Sequence, residues 1–107
     1  MSHLEDTLLA QIRLAKLPEP IREFHAIAGR RFRWDFCWTE PYALLVEVQG
    51  GTWINGGHSR GAGVSRDCEK LNLATLSGWK VLAFTGDQIH RGEALSWLQA
   101  FFSSVAA

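Results

Sequence analysis

Two acidic residues sit inside apolar, strand-like runs: Asp35 in Trp34-Asp35-Phe36 and Glu47 in Leu45-Val46-Glu47-Val48-Gln49. Strand side chains alternate between two faces, and a carboxylate on a covered face is costly unless it has a partner. Two carboxylates on neighbouring strands make an oxygen-rich cradle for a hard divalent cation. The chemistry this pair could do is metal-assisted hydrolysis. Other groups could assist it. His58 has a side chain suited to proton transfer near neutral pH. Arg30, Arg31 and Arg33 precede Asp35, and Arg60 and Arg66 follow a glycine-rich segment, so both groups could grip phosphates. Trp53, inside that segment, could wedge against unstacked bases.

The elements that must position these residues can be read from periodicity. Leu4, Leu8, Leu9, Ile12 and Ala15 fall at helical spacing, which predicts a helix over 3–16 that Pro18 and Pro20 end. Strands are expected over 21–27, 31–38 and 43–48, the last apolar enough to be covered on both faces. Residues 50–63 hold six glycines and read as a loop. A helix is expected over 64–77, with Cys68, Leu71, Ala74 and Thr75 as its stripe and Gly78 as its stop. A strand over 79–84, a turn at Gly86-Asp87 and a helix over 92–103 complete the order α-β-β-β-α-β-α. The first three strands should form an antiparallel meander, and the helix after them has the length a parallel crossover needs.

The 107 residues suit one domain, 1–107, with a modest core. Eleven basic and eleven acidic residues cancel, which argues mildly against a nucleic-acid partner. The basic residues are nonetheless grouped, at 22–33 and at 60–70. Cys37 and Cys68 make neither a disulfide framework nor a zinc site, and both read as buried thiols. No run reaches membrane-spanning length and no signal peptide precedes the first helix, so a cytoplasmic protein is expected, in the host cytoplasm if phage-encoded. The glycines of Gly50–Gly57 lack the GK[ST] ending of a phosphate loop, which argues against a nucleotide cofactor.

The stretches RRFRWDF, LLVEVQGGTW and RDCEKLNLATLSGWKVL, in this order and with these elements between them, resemble the PD-(D/E)xK nuclease superfamily. The resemblance runs from about Leu4 to Phe84, and the chain also looks like small phage-borne nucleases of this superfamily, related to Vsr-type mismatch endonucleases and Holliday-junction resolvases. It implies an α/β, restriction-endonuclease-like αβββαβ core with a mixed central sheet flanked by helices. Asp35 matches the family aspartate and Glu47 the family glutamate. With the Val48 carbonyl they are expected to hold Mg²⁺ (or Mn²⁺), which lowers the pKa of a coordinated water. Gln49 stands where the family has lysine and can position a water but not deprotonate it. Lys70, from the following helix, or His58 could take that role. Glu5 corresponds to the family's extra acid on the first helix, with Glu23 its rival.

The resemblance thus implies a metal-dependent endonuclease, with branched, junction or mismatched DNA as the expected substrate; two coordinated cuts in a junction would suit a homodimer, with Trp97, Phe101 and Phe102 on the last helix as the candidate interface. The alternatives are an inactive DNA-binding module of the same fold and a structural or partner-binding phage protein. Each residue also has an ordinary explanation. Asp35 could pair with an arginine, Glu5 could serve the helix dipole, and Gln49 could end a strand. Lys70 and Arg66 could line a solvated face, His58 could be a solvated loop residue, and Trp53 could pack on its own loop.

Overall fold

The computed structural model describes residues 2–49 and 60–106. Trp53, His58 and the side chain of Arg60 lie outside the described residues. Helix α1 spans His3–Leu14. The Ser2 hydroxyl caps it by accepting from the Glu5 N–H, and Leu8, Leu9 and Ile12 are its buried stripe. Strand β1 (Ile21–Phe24) is shorter than expected, and β2 is Trp34–Trp38. Their pairing stops at Phe24↔Trp34, so residues 25–33 form a connection and not strand extensions. Strand β3 is Leu44–Gln49.

Helix α2 (Arg60–Leu76) begins earlier than expected. Gly61 and Gly63 look like loop signals, yet glycine inside a helix costs only about 1 kcal/mol and does not forbid it. Gly78, at φ +93°, supplies the left-handed residue that ends the segment, as expected. After β4 (Lys80–Thr85) the expected turn at Gly86-Asp87 is instead the start of a short helix, α3 (Gly86–His90). Its cause is a capping box: Gln88 N–H donates to the Thr85 hydroxyl, and Thr85 N–H donates to the Gln88 side chain. Helix α4 spans Glu93–Ala106.

The sheet order is β1-β2-β3-β4. The first two pairings are antiparallel and β3-β4 is parallel, the meander and crossover the sequence suggested. Two clusters cover the sheet. On one face α1, α3 and α4 pack Leu8, Ile12, Ile89, Leu98 and Phe102 against Phe36, Trp38, Leu44, Val46 and Phe84. On the other, α2 packs Ala74 near Trp34, Cys37 and Leu45. Strand β3 contributes to both clusters, which explains its unbroken apolar run.

The α2 layer is thin. Of its expected stripe, Ala74 is buried, Leu71 is 47% exposed and Cys68 is exposed, so the buried-thiol reading fails for Cys68. It holds for Cys37, whose thiol burial pushes up to about 11. On α4, Phe102 is core and Trp97 is 58% exposed, so Phe102 cannot belong to an exposed interface. The helical phase puts Phe102 on the inner face with Leu98.

Candidate functional site

The β2–β3 ladder runs Trp38↔Leu44, Cys37↔Leu45, Phe36↔Val46 and stops there. In that register the next two residues are Asp35 and Glu47. Strand β3 stays paired with β4 as far as Gln49↔Thr85. The two acids therefore stand where the sheet opens into a fork. The Val48 N–H does not join a β2 carbonyl but donates to Asp35 Oδ2 at 2.7 Å. The N–H and C=O of one strand residue point to the same edge, so the Val48 carbonyl faces that gap too.

Glu47 Oε1 accepts from Lys70 Nζ at 2.7 Å. The same ammonium donates to the Arg33 carbonyl at 2.7 Å and lies 4.3 Å from the centre of the Trp34 ring. Burial pushes both carboxyls above their ordinary range. For Glu47 this desolvation outweighs the Lys70 hydrogen bond and charge, and Asp35 and Asp67 add to it by repulsion. For Asp35 desolvation outweighs the Val48 N–H; Glu5 adds repulsion, while Lys70 and Arg33 oppose it. Two half-buried carboxylates whose charge is poorly solvated gain from an added cation.

Other residues are placed as follows. Glu5 divides its oxygens between the Ser2 hydroxyl at 3.1 Å and the Arg22 guanidinium at 3.2 Å. It thus serves the helix cap, yet lies near enough to Asp35 to repel it. Glu23 pairs with Arg33 in an exposed bridge. Arg30 pairs with Glu69. Arg31 and Arg66 are exposed. Gln49 is an exposed strand end on the pocket that Trp34, Glu47, Asp67 and Lys70 also line. Asp67 was not singled out from the sequence. Its spacing of three from Lys70 on one helix was the available signal.

Among the described residues no group of three or more His, Cys, Asp or Glu side chains is arranged to hold a metal ion. Asp35, Glu47 and the Val48 carbonyl form an all-oxygen partial set. That set fits magnesium, which commonly takes one or two carboxylates and fills its shell with water and substrate phosphate. It does not fit a zinc cage of nitrogen and sulfur ligands. Lys70 already stands on Glu47 as a cation.

No family model, curated protein or solved structure matches the chain. Among the described residues, no helix is long and apolar enough to cross a membrane.

Proposed function

We propose that this chain is a metal-dependent DNA endonuclease with a restriction-endonuclease-like core. The observation that carries the reading is the fork: Asp35 and Glu47 at the point where β2 and β3 part, with Lys70 delivered to Glu47 from α2. The element order and the mixed sheet support it as well.

In this reading Asp35, Glu47 and the Val48 carbonyl hold Mg²⁺ or Mn²⁺. A bound divalent ion supplies Lewis acidity toward a water and the scissile phosphate. Lys70 takes the place that Gln49 leaves without charge, orienting the attacking water and offsetting charge that develops on the phosphate. Arg31 and Arg66 are exposed for backbone contacts, whereas Arg30 and Arg33 must exchange Glu69 and Glu23 for phosphate. Two coordinated cuts in a junction need two sites, which favours a homodimer with the exposed Trp97 as anchor.

The test compares cleavage of labelled four-way junction, fork, mismatched duplex and plain duplex in Mg²⁺, Mn²⁺ and EDTA. Metal-dependent products from distorted substrates, lost in Asp35→Asn, support the reading. Salt-sensitive binding without products favours the inactive DNA-binding module. Neither binding nor products favours a structural role.

A further inference from the structure

We propose that Lys70 is a built-in counter-ion of the carboxylate site, which a divalent cation displaces from Glu47 without expelling it from the pocket. This rests on the reading of Asp35 and Glu47 as metal ligands given above.

The ammonium has three holds: Glu47 Oε1, the Arg33 carbonyl and the Trp34 ring. Only the first is a metal ligand. A divalent ion on Glu47 repels an ammonium at the same oxygen, because like charges at contact distance are disfavoured even at the higher effective dielectric of a protein surface. The other two holds remain. A carbonyl oxygen and an aromatic face both attract a cation and carry no negative charge for the metal to claim. Asp67, one helical turn before Lys70 and lining the same pocket, is a further acceptor for the released ammonium. Arg33 immediately precedes β2, whose first residue, the 2%-exposed Trp34, is fixed in the core, so this platform does not depend on the metal.

Two consequences follow for the metal-free protein. Lys70 lowers the affinity of the site for a divalent cation, because binding must first break the ion pair. It also keeps Glu47 compensated until the cation arrives. The ammonium is then released within reach of the metal-bound face and not into solvent.

Calorimetric titration with Mn²⁺ alone, without DNA, tests this in wild type, Lys70→Met and Glu47→Gln. Removing one competing charge is expected to tighten Mn²⁺ binding about tenfold in Lys70→Met. Glu47→Gln weakens it. Equal affinity in wild type and Lys70→Met overturns the counter-ion role and leaves the metal site standing. No binding in either overturns both.

A second readout uses only the wild-type protein. Amine acylation followed by mass spectrometry compares Lys70 with the exposed Lys16 and Lys80. Saturating Mn²⁺ is expected to raise Lys70 labelling relative to those two references. Unchanged labelling at saturation overturns the displacement.

Discussion

The Lys70 ammonium lies 2.7 Å from Glu47 Oε1, joining α2 to β3 across the mouth of the β2–β3 fork. One side chain thereby compensates a half-buried carboxylate, ties the thinly packed helix to the sheet and brings a positive charge to the candidate site.

Lys70→Met should destabilise the fold. The pair is 15% and 29% exposed, so its loss should cost about 1–2 kcal/mol, less than the roughly 3–5 kcal/mol for breaking a fully buried pair. Urea unfolding of wild type, Lys70→Met, Glu47→Gln and the double variant measures it. The loss caused by Lys70→Met should be smaller in the Glu47→Gln background, where no unpaired charge is left behind.

Asp35→Asn should stabilise the protein at neutral pH. Burial raises the Asp35 carboxyl above its ordinary 3.8, so the folded state holds a proton that the unfolded chain has already released. The associated stability is full below that unfolded value and is lost as pH rises through the raised folded one. Asparagine removes the charge and can still accept from the Val48 N–H. The stability difference between variant and wild type should therefore be largest at neutral pH and shrink toward pH 3.8 and below. A difference that grows on acidification would contradict a desolvated carboxylate here. Glu47, raised for the same main reason, should contribute with the same sign in the window that opens above its ordinary 4.5.

Millimolar Mg²⁺ or Mn²⁺ should raise the melting temperature of wild type and not of Glu47→Gln. A ligand at a hundred times its Kd adds about 2.7 kcal/mol of stability. For a domain of this size that is a shift of roughly 10–20 °C, read by differential scanning fluorimetry.

Arg31→Gln and Arg66→Gln should each weaken DNA binding without changing the fold. If each arginine contacts one phosphate, each substitution reduces the slope of log affinity against log salt by about one. Fluorescence anisotropy across a salt series checks this, and unchanged slopes would place both residues outside the interface.

Much of this arrangement could be read from residue pattern. Helix α1, the antiparallel meander and the parallel crossover followed from apolar period, the prolines and the length of the connection. Asp35 and Glu47 stood out because acids interrupt otherwise apolar strands, and Lys70 was one of two residues expected to supply the charge that Gln49 lacks. What pattern alone could not show depended on three-dimensional competition. Gly61 and Gly63 obscured the start of α2, since two modest helix penalties look like a loop when neighbours are ignored. The Thr85–Gln88 capping box was in the sequence but was masked by the turn-like Gly86-Asp87. Cys68 faces solvent because α2 buries little more than Ala74, a matter of how far one helix sits over the sheet. The division of Glu5 between Ser2 and Arg22 needs β1 to be folded against α1, which no local pattern encodes.

The most direct measurement is single-turnover cleavage of a labelled four-way junction by wild type and Glu47→Ala, in Mg²⁺ and in EDTA. The expected result is cleavage by wild type in Mg²⁺ alone, reduced about a thousandfold or more in Glu47→Ala, as loss of several kcal/mol of metal-borne transition-state stabilisation requires. Equal cleavage by the two proteins, or cleavage that persists in EDTA, would contradict the assignment of Glu47 and the fork as the metal-dependent site.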